Sequence, residues 1–343
     1  MVRYLAPLFC SVLLLAGWSE TEANAQAAKA QAHVAAAKAA AYEPGHDFTA
    51  IFALCAEPNP NPPAAAPAAA PAAAAPATRT IPPRSQWYIE PQKVFDNLYY
   101  VGGSRAYNES VWAVTSSEGI ILINTGQDYA AEELIVNGLK KMGLDPTQVK
   151  YVILTEGQPD VYGGAKLLQD RYKARVLLSE ADWDVIATSN ASAALKPRKD
   201  MIVTDGQKLT LGDVTVSLYV TPGHSPGTVS MLISPLKDGN QRHVGSVFGG
   251  RSAGGLQYYK TEAESMRLWS ASAKRYKAIA ESAGADVFVS LHDSWDKLLD
   301  KLNALKFRKP GGPHTLVSKS AVSRYPTMIS ECMDAQLAWR EGK

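Results

Sequence analysis

The stretch Tyr151-Val-Ile-Leu-Thr-Glu-Gly-Gln-Pro-Asp-Val-Tyr-Gly-Gly164 constrains the fold of this chain most. It opens as a short run of β-branched and apolar residues, the pattern of a buried strand. It closes in polar residues and a glycine pair, and residues 165–172 then carry a helical spacing. A strand feeding a loop that opens a helix is where α/β folds place their chemistry. In that loop Glu156, Gln158 and Asp160 are alternate residues whose side-chain oxygens can converge on one point. Two further segments end in the same way, Thr221-Pro-Gly-His-Ser-Pro-Gly-Thr228 and Val287-Phe-Val-Ser-Leu-His-Asp293. We read the three strand ends as one site.

These residues resemble the metallo-β-lactamase-fold hydrolases, above all the third subclass of metallo-β-lactamases. That family carries Thr-His-x-His-x-Asp-His-x-Gly-Gly at the first strand end. It has Thr-Pro-Gly-His-Thr-Pro-Gly at the second and a lone His after the third strand. Thr155, Asp160, Gly163, Gly164, His224 and His292 match, whereas Glu156, Gln158 and Val161 stand where the family has histidines. The resemblance spans roughly residues 87–305. It implies a four-layer αββα sandwich where alternating strands and helices alone give only α/β.

The chain before this region is not core-forming. Residues 1–25 read as a secretory signal peptide, with Arg3 at the positive end, a short apolar core over 5–18 and Ala23-Asn24-Ala25 at the cleavage site. That apolar core falls short of the about 20 residues a membrane span needs, so we expect no stable membrane insertion and a periplasmic or secreted protein. Residues 26–56 form an N-terminal segment, an alanine-rich helix with little to bury followed by the apolar Phe48, Ile51, Phe52 and Leu54. Residues 57–86 are dominated by Ala and Pro, the composition of an extended linker. Residues 87–343 make the main domain with a C-terminal helix. Without Cys10 of the signal, Cys55 and Cys332 remain. In an oxidising compartment they suggest a disulfide, the alternative being two buried thiols. The net charge is only +2, and no basic run is interleaved with aromatics, so nucleic acid is not an expected partner.

Strands are expected over 94–101, 111–115, 119–124, 149–154 and 175–178, then an antiparallel run over 201–204, 209–211, 214–220, 229–233 and 243–248, with a last strand over 287–291. Helices are expected over 129–142, 165–172, 181–186, 262–283 and 295–305.

A hydrolytic zinc site takes three or four N, O or S ligands and leaves a position for water. His224, aimed out of the fold by its Pro-Gly-His-Ser-Pro-Gly turn, is one candidate ligand, and His292 at a strand end is another. Glu156 and Gln158 offer oxygen in place of imidazole, which favours harder cations; the plainer alternative is that they cap the following helix. Asp160 keeps the position that in the family binds a second metal, and it is the candidate general base. With Val161 unable to ligate, we expect one zinc ion per chain and a second held only weakly, if at all. Ser252 and Arg251, in a Gly-rich loop, together with Tyr162, are candidate contacts to a small-molecule substrate; Trp112 and Tyr258 are further candidates for the pocket mouth. His33, His46, His243 and His314 fall outside the site. The resemblance implies a hydrolase acting on an amide, lactone or ester, with β-lactams as one substrate class. The competing reading, from the three lost histidines, is a catalytically silent relative that binds a small molecule or a protein.

Overall fold

The computed structural model describes residues 20–58, 81–103 and 109–341. The expected signal segment up to residue 19, and the Ala/Pro linker from 59 to 80, lie outside these.

Two sheets dominate the described residues. One follows the order Gln92–Lys93, Leu98–Gly103, Ser110–Ser116, Gly119–Ile123, Val149–Ile153, Arg175–Ser179 and Met201–Val203. Its first four strands are antiparallel, and the rest are added in parallel. The other follows Lys208–Leu211, Val214–Val220, Val229–Asp238, Gln241–Val247 and Val287–Phe288, antiparallel until the last strand joins in parallel.

The strand Gly119–Ile123 shows why the sheets stack. Side chains alternate across a strand, so Ile121 and Ile123 point into the core between the sheets, with Leu177, Val216, Leu218 and Met231. Ile120 and Leu122 point the other way, onto Ile135, Leu139, Leu168 and Trp183 of the outer helices. Both faces are buried, hence the unbroken apolar run. The second sheet is covered in the same manner: Leu232, Phe248 and Phe288 pack against Trp269 and Tyr276 of the helix Glu262–Ser282 and Tyr325 of the helix Lys319–Glu341. The result is the four-layer αββα sandwich.

Several expectations change in detail. Met201–Val203 pairs in parallel with Arg175–Ser179 in the first sheet rather than joining the antiparallel run; an apolar triplet carries no mark of its partner strand. The helix expected from 295 starts at Leu298, because Lys297 sits in the left-handed region at φ 53°. The alanine-rich helix Glu20–Ala41 does bury a face: Ala30 and Ala37 are inaccessible, against Ala335, Ala338, Trp339 and their neighbours on the C-terminal helix. Small side chains let the two helix backbones approach closely. Cys55 and Cys332 form a disulfide that fixes this segment to the same helix. Arg324 adds hydrogen bonds to the carbonyls of Ala40 and His46. Among the described residues no helix is long and apolar enough to cross a membrane.

Candidate metal centre

The first two strand ends meet directly. The Thr155 carbonyl accepts from Val229 N at 2.8 Å, and Thr155 is held from the other side by Asn124, whose Oδ1 accepts from its N and Oγ1. Asn124 adopts φ 59°, a conformation Asn tolerates better than most residues. Glu156 is thereby turned inward and is 3% exposed. Its Oε2 lies 2.9 Å from His224 Nε2. Despite that distance neither atom makes a hydrogen bond of acceptable geometry.

The tautomer of His224 is set behind it. Its Nδ1 lies 2.7 Å from the Ser252 carbonyl; a carbonyl only accepts, so Nδ1 carries the proton and Nε2 presents its lone pair beside Glu156. Burial lowers the affinity of the imidazole for a second proton, but the Glu156 carboxylate overrides it and raises the pKa. The Gly-rich loop makes room for this ring. A Cβ on Gly250, at φ +78°, would sit 2.4 Å from His224 Cβ, and one on Gly254 would sit 1.9 Å from the His224 carbonyl. These glycines therefore serve the histidine.

Asp182 ties both loops together. Its carboxylate accepts from Gly157 N at 2.8 Å, Gly227 N at 2.7 Å and Ser225 Oγ at 2.6 Å. Burial pushes its pKa up to about 6 against the pull of these donors. Sequence reasoning missed this residue, since Ser179-Glu-Ala-Asp182 reads as a helix start, and Ser179 does cap the helix Glu180–Thr188.

Gln158 stands at the N-cap position of a short helical turn, but its side chain makes no capping bond. It donates instead to Tyr258 Oη at 3.1 Å. Gln158, Asp160, Val185, Thr188, Gln257 and Tyr258 line a cleft of about 600 Å³. A larger cavity, about 770 Å³, lies away from the strand ends, between residues 42–47 and the segment carrying Asp296 and Lys301.

The third strand end arrives through residues beside the strand Ser110–Ser116. Glu109 forms a backbone bridge with His292, and Ser110 N donates to the Leu291 carbonyl. Asp293 accepts from Ser110 Oγ at 2.7 Å and from Tyr100 Oη at 3.1 Å. His292 is 6% exposed, with its ring 5.3 Å from that of Trp295. The Glu109 side chain reaches the neighbourhood of Asp160: burial first, and then the Asp160 charge, push its pKa up to about 9. Glu109 was also missed, because an acidic residue just before an apolar strand reads as a strand edge.

The structure thus joins Glu156 to His224, Gln158 to Tyr258, and Asp160 through Glu109 to His292. Among the described residues no three His, Cys, Asp or Glu side chains converge, as they stand, closely enough to hold an ion. Tyr162 and Trp112, expected near the pocket mouth, are instead fully buried core residues. Each residue along a helical turn rotates by about 100°, which carries Tyr162 away from the side on which Asp160 lines the cleft. Val161 likewise packs into the core at 2% exposure. Arg251 is exposed, while Ser252 is placed by its carbonyl bond to His224. The other four histidines are engaged elsewhere; His33 pairs with Glu331, His243 with Asp286, and His314 with the Val94 carbonyl, and His46 is buried in the N-terminal segment.

The family description "Metallo-beta-lactamase superfamily" matches residues 105–238. Residues 105–238 thus resemble that superfamily. Among solved structures it is similar to BJP-1, a subclass B3 metallo-β-lactamase of Bradyrhizobium japonicum, at 25% identity and a TM-score of 0.61, covering 74% of this chain and 95% of that one. It shares the fold of a Cronobacter sakazakii metallo-β-lactamase described by a HARLDQ motif, at 24% identity and a TM-score of 0.61, over 77% and 96% of the two chains. Among characterised proteins it is 29% identical to an N-acyl homoserine lactonase of Bacillus cereus over 40% of this chain and 52% of that protein. It is 35% identical to a hydroxyacylglutathione hydrolase of Acidiphilium cryptum over 25% and 31%. The chain therefore spans about a third of one of these relatives and about half of the other. The relatives are hydrolases, and proteins of this superfamily usually bind zinc.

Proposed function

We propose that the protein is an exported, zinc-dependent hydrolase that opens an amide, lactone or ester bond, a β-lactam among the possible substrates. The observation that carries this reading is the Glu156–His224 pair. Glu156 Oε2 and His224 Nε2 are buried and 2.9 Å apart, an ion pair when the imidazole is protonated. The Ser252 carbonyl keeps Nε2 unprotonated while His224 is neutral, and a cation held by the carboxylate and the neutral imidazole would take the place of that second proton. Gln158, beside them at the cleft, is the third candidate ligand.

Bound there, zinc would lower the pKa of water and polarise a carbonyl. The chain's own residues do the rest. Asp160 lines the cleft half-buried, and in this reading it would take a proton from the attacking water. Tyr258 orients Gln158, and Asp182 fixes the spacing of the Glu156 and His224 loops. Export is supported by the leader-like residues 1–25 and by the Cys55–Cys332 disulfide. The division at residues 26–56, 57–86 and 87–343 fits a tethered N-terminal segment on one hydrolase domain.

The test is a panel of β-lactams, lactones and thioesters assayed before and after removal of metal by a chelator. Hydrolysis that a chelator abolishes and zinc restores is expected. A panel untouched by the zinc-loaded protein would favour the silent binding protein, the reading that the lost motif histidines support.

A further inference from the structure

The N-terminal segment borders a cavity that the proposed hydrolysis does not use. The hairpin Tyr42–Glu43 and His46–Asp47 forms one wall, and the segments carrying Asp296, Lys301 and Thr315 form the others, around a space of about 770 Å³. The Cys55–Cys332 disulfide and the Arg324 bonds to the Ala40 and His46 carbonyls hold the hairpin wall in place. The volume falls within the range of about 300–1,000 Å³ typical of small-molecule sites. Its buried polar groups are not satisfied by the protein. Asp296 is 1% exposed and pairs through Oδ2 with the buried Lys301 at 2.9 Å, which leaves Oδ1 buried without a partner. His46 is also buried, and its Nδ1 has no partner. The Lys301 ammonium carries three donors, of which Asp296 takes one.

These groups call for a ligand that accepts from Lys301 and donates to Asp296 Oδ1, and a hydroxyl does both. The charges around the cavity argue against an anion. Glu43, Asp47, Asp296 and Asp300 line it beside Lys297 and Lys301. Both lysines are already paired, with Asp47 and Asp296, and Arg324 pairs with Glu43, so one negative charge is left over. His46 and His314 also line the cavity; burial, ahead of their charged neighbours, lowers the pKa of each and keeps it neutral. Tyr42, 62% exposed, adds an aromatic face, whose negative π-surface suits the C–H face of a sugar ring. We propose that this cavity is a second ligand site, for an uncharged saccharide, completed by the docked N-terminal segment. Ring hydroxyls bridge Lys301 and Asp296, and Tyr42 covers one face of the ring. The proposal is independent of the metal at the strand ends.

The test is calorimetric titration of chelator-treated full-length protein with cellobiose, maltose and diacetylchitobiose. Methyl glucoside and methyl glucuronide are added as an uncharged and an anionic form of one ring. Saturable, millimolar or tighter binding of at least one neutral saccharide is expected, with the glucoside bound more tightly than the glucuronide. Asp296→Ala should weaken binding about tenfold or more, since it removes a charged hydrogen-bond acceptor. Tyr42→Ala should weaken it about fivefold; Tyr42 is exposed, so this variant keeps the fold even if Asp296→Ala does not. His224→Ala should bind the saccharide as the native protein does, which separates this site from the strand ends. No saturable binding of any of the five sugars would overturn the inference. So would tighter binding of the glucuronide, or binding that Tyr42→Ala leaves unchanged.

Discussion

Asp182 shows how much of this site depends on a residue that faces neither the cleft nor a metal. Three donors converge on its carboxylate, two of them backbone amides next to the loops carrying Glu156 and His224. Asp182→Asn replaces one acceptor oxygen with an NH₂ group that faces another donor. We expect a loss of about 1–3 kcal/mol in denaturant unfolding and about 10–100-fold in zinc affinity. A variant equal to the native protein in both would show that the two loops hold their own spacing. Residue-scale chemistry was partly legible in the sequence. His224 and Glu156 stood out through their strand-end context. Asp182 and Glu109 did not, because their roles arise from tertiary neighbours 25 or more residues away: Gly157 and Gly227 for the first, Asp160 for the second.

At the scale of elements, strands were read well wherever burial on both faces left a continuous apolar run, as in Gly119–Ile123 and Val149–Ile153. Partner choice was less legible, and Met201–Val203 went to the other sheet for that reason. The N-terminal segment held the largest surprise, since an alanine-rich helix without a distinct apolar stripe nonetheless packs on Lys319–Glu341. His46 gives that segment a pH dependence. Burial, with Lys301 and Arg324 nearby, lowers its pKa from 6.5 to about 4. Above pH 6.5 its contribution to stability is complete; as the pH falls toward 4, the unfolded chain takes up a proton that the folded one refuses, and stability drops. In urea unfolding, His46→Gln should lose less stability than the native protein between pH 7.5 and pH 5. Equal losses would show that His46 titrates normally in the folded state.

At the scale of the molecule, a sandwich core brings the ends of strands from both sheets to one edge, and the outer helices fix the loops between them. The same architecture accepts changes at the ligand positions because what holds them lies elsewhere: in the Ser252 carbonyl, in the glycines around His224, and in the Asp182 carboxylate on the helix Glu180–Thr188. That is why the fold was recognisable from glycines and turns even though three motif histidines are replaced. The central claim is that the remaining strand-end residues still hold a metal. It is tested most directly by elemental analysis of protein exported to an oxidising compartment and purified without chelator, beside His224→Ala prepared in the same way. The account predicts at least one zinc per chain in the native protein and none held tightly in the variant. A folded native protein that takes up no zinc even after dialysis against it would contradict the account.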